Sequence, residues 1–240
     1  MAYRKTTITR RVYRKKRKTA YRKKRSTRSR RSKTTMRNSN PGQLIAPRYI
    51  TKLKYADGPY TLSVPFADIS TDYQFNLNSL FDPNRTGTGH QPLGHDQLDL
   101  LYNRYRVFAA SYRVEFYPNP PGSSFQAAHF VSLRNDATTM SSLSLNAVRE
   151  TPHTLVKIGR FDAPTIFTGR VSLPKLTGQT SAQYKAGTNY EAQMSASPTE
   201  LMTLNIGSVP LTSLGGATTY FNVQIMYHVE CFDPRTLAQS

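Results

Sequence analysis

The sequence predicts an all-β protein folded as a two-sheet antiparallel sandwich, and three observations lead there. Apolar and polar residues alternate with a period of two in one segment after another. The stretches between those segments are long and rich in Pro, Gly, Ser, Thr and Asn. Helical spacing occurs once, in Asp96 to Tyr105, where Leu98, Leu101, Tyr102 and Tyr105 fall at i, i+3, i+4 and i+7 behind Asp96 as a prospective N-cap.

The first part of the chain is not expected to fold. Of the 33 Lys and Arg residues, 18 lie between Arg4 and Arg37, with no Asp or Glu among them. Residues 38–240 carry 15 basic against 14 acidic side chains, so the net charge of +19 divides into +18 and +1. Self-repulsion at that density, with little apolar surface to offset the ordering entropy, predicts a disordered arm over residues 1–37. All fifteen prolines lie from Pro41 onward, which makes residues 38–47 a linker and residues 48–240 one domain with a sizeable core.

The strands of that domain follow in order. Tyr49, Thr51, Leu53 and Tyr55 alternate with Ile50, Lys52 and Lys54. Tyr73, Phe75 and Leu77 alternate with Gln74, Asn76 and Asn78, and Tyr112, Val114 and Phe116 with Arg113, Glu115 and Tyr117. Residues 129–134, 155–158, 166–173 and 201–206 are shorter candidates. The clearest is the last, with Phe221, Val223, Ile225, Tyr227, Val229 and Cys231 on one face and Asn222, Gln224, Met226, His228 and Glu230 on the other. About eight strands with long loops and scarce helix suggest a single eight-stranded jelly roll. An immunoglobulin-type sandwich is disfavoured by size and by the absence of any Trp or of a Cys pair.

The arm has the chemistry of a nucleic-acid binder. Tyr3-Arg4-Lys5, Tyr13-Arg14-Lys15-Lys16-Arg17-Lys18 and Tyr21-Arg22-Lys23-Lys24-Arg25 each set an aromatic ring ahead of a basic cluster. Arg10, Arg11, Arg28, Arg30, Arg31, Lys33 and Arg37 complete the charge. Arg offers phosphate a planar fork, Lys a point charge, and a Tyr ring stacks on an unpaired base. An unfolded polycation holds no fixed geometry for base edges, so the expected binding is sequence-independent. Lys15, Lys16, Arg17 and Lys18, and again Arg22, Lys23, Lys24 and Arg25, also have the form of nuclear-import signals.

The order of motifs carries a resemblance. Asn76-Leu77-Asn78-Ser79-Leu80-Phe81-Asp82-Pro83-Asn84 is followed by Gly87-Thr88-Gly89-His90-Gln91-Pro92-Leu93-Gly94-His95-Asp96-Gln97. Tyr102-Asn103-Arg104-Tyr105-Arg106-Val107 then leads into a strand ending Val114-Glu115-Phe116-Tyr117-Pro118. Together with the arm, this resembles the capsid proteins of circoviruses and related small viruses with circular single-stranded DNA; after Pro118 the match is one of general character. The resemblance implies a T=1 icosahedral shell of roughly sixty identical subunits. Their arms would direct on the order of a thousand positive charges inward, enough to neutralise a similar number of phosphates. It implies as partners other copies of the chain, single-stranded viral DNA, host nuclear-import receptors and a host surface receptor or glycan, in the virion and in the host nucleus during assembly. Under it Arg48, Lys52 and Lys54 are further nucleic-acid contacts, with Tyr49 or Tyr55 available for stacking.

Other chemistry is not expected. His90, His95 and Asp96 are poorly spaced for a metal, and Gly87-Thr88-Gly89 lacks the Gly-Lys-Ser/Thr of a phosphate cradle. No nucleophile elbow appears and the five histidines are scattered, so neither catalysis nor a cofactor is expected. Asn84-Arg85-Thr86 fits a glycosylation triplet, but no apolar stretch behind the N-terminal charges suggests a secretory signal, and no apolar run suggests membrane insertion. Cys231 reads as a small core residue. The rival functions are the coat of a small RNA virus and, in a different class, a cellular ribosomal or chromatin-type module with a basic tail.

Overall fold

The computed structural model describes residues 45–64, 69–118, 126–211 and 217–236. Among them, nine strands form two antiparallel sheets. In chain order they are β1 (Arg48–Val64), β2 (Thr71–Asn76), β3 (Tyr102–Phe116), β4 (Ala127–Arg134) and β5 (Thr154–Ile158). β6 (Thr165–Ser172), β7 (Glu191–Gln193), β8 (Thr203–Pro210) and β9 (Ala217–Pro234) follow. The first sheet has the order β1-β9-β3-β6, with short β7 also paired to β3; the second has the order β2-β8-β4-β5. Only the β4–β5 connection joins neighbours within a sheet by a direct chain step, and the other main connections cross between sheets. That wiring is a jelly roll.

Period-two alternation sets the core. Leu53, Tyr55, Phe75, Val114, Phe116, Ile206, Val223, Ile225 and Tyr227 are buried between the sheets, each fully buried large side chain stabilising by roughly 1.5–3 kcal/mol. The polar ends of these rings find partners. Tyr105 donates to the Ala196 carbonyl at 2.9 Å and Tyr227 to the Asn76 carbonyl at 2.7 Å. Tyr55 donates to the Asp57 carboxylate at 2.6 Å. Cys231 lies in the same core, its thiol pushed up to about 12 by burial and by the Glu230 charge.

The expected helix is cut short. α1 spans His95–Asp99 only, entered through Gly94 in the left-handed region, and Tyr102 and Tyr105 belong to β3. Strand pairing prevails over local spacing here, because Tyr102 and Arg104 align with Pro234 and Phe232 of β9. Three helices not expected from periodicity appear: α2 (Leu145–Glu150), α3 (Leu173–Leu176) and α4 (Ser181–Ala186). Two of them are started by capping. Ser144 accepts from the Ala147 amide, and Thr180 with Gln183 forms a full capping box.

The outward faces of the two sheets differ. α2 and the loop before it cover the second sheet, where Met140 and Val148 pack on Phe130 and Val209 in a separate small core. Every residue of β8 is buried as a result. The outward face of the first sheet keeps charged side chains in solvent.

Candidate nucleic-acid interface

The outward face of the first sheet is basic, and its strand pairing explains why. β1 alternates buried Leu53 and Tyr55 with exposed Arg48, Ile50, Lys52 and Lys54. Across the ladder Arg48 pairs with Phe232, Lys52 with His228 and Lys54 with Met226. β3 adds Arg104, Arg106 and Arg113 in register with Phe232, Glu230 and Gln224, and β6 adds Arg170 opposite Ser111. One face of one sheet therefore collects basic side chains from β1, β3 and β6.

Two carboxylates organise part of that face. Glu191 takes Arg104 at 3.0 Å and Arg106 in a short ion pair. Glu230 is only 4% exposed, and its cationic neighbours stand back, with Arg48 at 3.4 Å, Lys185 at 3.8 Å and Arg106 at 4.0 Å. Arg106 also lies 5.1 Å over the Phe232 ring, a cation–π contact. Among the described residues, Lys52, Lys54, Arg170 and Lys175 have no carboxylate within 4.0 Å. Those four charges are available to a polyanion.

His228 sits among them. Burial pushes its imidazole below the usual range, and Arg170 and Lys52 push it further down. Its ring meets Phe108 edge-on at 6.1 Å.

The sequence-predicted contacts divide. Arg48, Lys52 and Lys54 share this outward face. Tyr49 and Tyr55 do not. Both point to the opposite side of β1, where Tyr49 stacks on Tyr102 with centroids 6.3 Å apart and Tyr55 is fully buried. The cause is the strand period itself, since odd-numbered residues of β1 cannot face the same way as Lys52 and Lys54. The predicted arm contacts, from Arg4 through Arg37, lie outside the described residues, as do both import-type clusters.

Phe108 is the aromatic that sequence reading missed. Val107 pairs with Val229 but Ala109 pairs with His228, so Phe108 is an extra residue in β3. A bulge of this kind re-aims a side chain, and here it puts the ring beside the cations instead of in the core. The Tyr184 hydroxyl of α4 holds the bulge by donating to the Val107 carbonyl at 2.9 Å.

Several solved structures align with the chain at low sequence identity. One is Desmodium yellow mottle tymovirus, with 12% identity over 84% of this chain and 90% of that one and a TM-score of 0.42. The 60-mer BFDV capsid protein aligns at 10% identity over 80% and 98% with a TM-score of 0.44. The semi-empty VLP of Macrobrachium rosenbergii nodavirus aligns at 14% identity over 86% and 92% with a TM-score of 0.42. No protein family matches the chain, and no curated protein matches it.

The stretch that carries the sequence resemblance is a buried polar anchor. Asn76, Asn78, Ser79 and Asn84 are all buried. Asn78 donates to the Glu200 carbonyl at 2.6 Å and accepts from the Met202 amide at 3.0 Å. Asn84 donates to the hydroxyls of Tyr60 and Tyr73 at 2.7 and 3.1 Å. His90 Nδ1 and Nε2 lie 2.7 and 3.1 Å from the Gln91 and Ala56 carbonyls. Among the described residues no group of three or more His, Cys, Asp or Glu side chains could hold a metal.

Proposed function

We propose that this protein is a viral coat protein: the jelly roll assembles with other copies into a closed shell, and the basic arm packages single-stranded nucleic acid. The observation that carries the reading is the pairing of a jelly-roll body of net charge +1 with a +18 arm, where Lys52, Lys54 and Arg170, none of them in an ion pair among the described residues, lie on the sheet that contains β1, the first strand after the arm. A closed shell supplies symmetric contacts that each can be weak, because many act together. The arm supplies condensation of phosphate charge without sequence preference. The chain acts structurally in this reading and not as an enzyme.

The finer reading is a shell of sixty copies holding circular single-stranded DNA, with the two Lys/Arg clusters of the arm serving for import into the host nucleus. The resemblance of residues 76–118 supports DNA. On charge grounds alone a polycation takes RNA equally well, so the coat of a small RNA virus is the second reading.

Electron microscopy of the full chain beside a chain beginning at Asn38, with nucleic acid extracted from each, tests the proposal. Closed shells that retain nucleic acid only when the arm is present are expected. Monomers in both samples at low and at high salt would overturn it. Infected-cell particles treated with DNase or RNase after opening separate the two genome types.

A further inference from the structure

A cleft of about 700 Å³ opens on the basic face of the first sheet, and neither the fold nor the arm explains its lining. Its apolar wall is Phe108, turned outward by the β3 bulge, and Ile50 of β1, which is 53% exposed. Arg170, Lys175 and Lys185 stand around its mouth. The floor is small where β3 and β6 run beneath, with Ala109 paired to Ser172. Glu230 also lines it, a carboxylate that is nearly fully buried and, among the described residues, takes one hydrogen bond, a long one of 3.4 Å from the exposed Arg48.

The lining keeps unused binding capacity. Half-buried Phe108 and exposed Ile50 retain apolar surface open to a ligand, and the Glu230 carboxylate, with cations at 3.4 to 4.0 Å, can still accept from a closer N–H or O–H. Together the parts match one chemistry. An apolar aromatic wall takes a planar ring, cations beside it take phosphate, and an acceptor at the floor takes an N–H or O–H of the same ligand. The volume falls within the range of sites that enclose a small molecule.

We propose that this cleft holds one unpaired nucleotide of the packaged single strand, its base against Phe108 and Ile50, its phosphates on Arg170, Lys175 and Lys185, and Glu230 accepting from a donor group of the base or sugar. The proposal rests on the packaging reading above. It adds a fixed site on the body to the unstructured binding of the arm, so that each subunit grips the strand at one defined point. A sulfated polysaccharide would use the cations but has no planar ring for Phe108, and the geometry favours the nucleotide.

The test is photocrosslinking of the full chain to a single-stranded oligodeoxynucleotide carrying 5-iodouracil, with crosslinked peptides mapped by mass spectrometry. Crosslinks are expected both at the arm tyrosines and at Phe108. Phe108→Ala should lower crosslinking of the 102–116 peptide by about ten-fold, the size expected for losing one base–aromatic stack, while the arm crosslinks persist. The double variant Lys175→Gln/Lys185→Gln changes only exposed side chains and leaves Phe108 in place, and it should lower the Phe108 crosslink several-fold. Arm crosslinks without a Phe108 crosslink in the unaltered chain would overturn the cleft and leave the packaging reading standing. So would a Phe108 crosslink unaffected by the lysine variant. Absence of crosslinks at arm and cleft alike would overturn both.

Discussion

His129 shows how one side chain ties this fold to pH. It lies buried in β4, stacked on Phe116 with ring centroids 4.1 Å apart, and its Nδ1 is 2.7 Å from the Ser208 hydroxyl. Burial pushes its pKa down to about 4. The folded state therefore resists a proton that the unfolded chain accepts near pH 6.5. The contribution to stability is complete above pH 6.5, falls as the pH drops towards 4, and levels off below that because both states are then protonated. The full loss is on the order of 3 kcal/mol. His228, also depressed by burial and by Arg170 and Lys52, acts with the same sign, so the informative quantity is the difference between proteins. Urea midpoints of the dissociated chain at pH 7 and pH 4.5 should differ less in His129→Leu than in the unaltered protein. Equal pH dependence in the two would mean that His129 is not the group responsible.

At the scale of elements, β8 is the least tolerant part of the molecule. It runs between β2 and β4 with every residue buried, and Gly207 pairs with Asp72 on one side and Phe130 on the other. A Cβ at Gly207 would collide with the Phe130 ring and the Thr71 carbonyl oxygen. A ring can turn aside; a strand backbone cannot, so Gly207→Ala is expected to destabilise by about 1–3 kcal/mol. A thermal melt reads this directly, and a melting temperature equal to that of the unaltered protein would contradict the packing described. β1 and β9 were legible because each has one wet face and one dry face, the condition under which period-two alternation survives. β8 was legible only in part, since both its faces are buried and alternation disappears. The region from Asp96 to Tyr105 read as helix because Tyr102 and Tyr105 point into the core from a strand at the same spacing a helix would use. α4 had a readable signal in Thr180 and Gln183, a capping box on a helix too short to show periodicity. Phe108 had none, because a bulge is defined by the partner strand's register, which no local pattern contains. The environment of Glu230 was equally hidden, as Arg48, Arg106 and Lys185 reach it from three distant segments.

On the scale of the whole molecule, the charge separation visible in the sequence is repeated within the body. Residues 38–240 are nearly neutral in total, yet Arg48, Lys52, Lys54, Arg170 and Lys175 gather on one sheet face while the other sheet is covered by α2 and its loop. A single strand held by both arm and face releases counterions from each, and the salt dependence of binding counts them at roughly 0.7 per phosphate contact. Lys52 and Lys54 are exposed on that face. Replacing both with Gln should therefore make the plot of log affinity against log salt shallower by roughly 1.4, a small part of a slope dominated by the arm. Arg160, in the β5–β6 loop and already paired with Asp162 at 3.3 Å, supplies the contrast. Arg160→Gln should leave the slope unchanged. Filter binding of a single-stranded oligonucleotide across a salt series measures all three proteins together. If the Lys52/Lys54 variant runs parallel to the unaltered protein, the basic face makes no phosphate contacts and binding belongs to the arm alone. If it is shallower while Arg160→Gln is not, the first sheet forms part of the nucleic-acid surface.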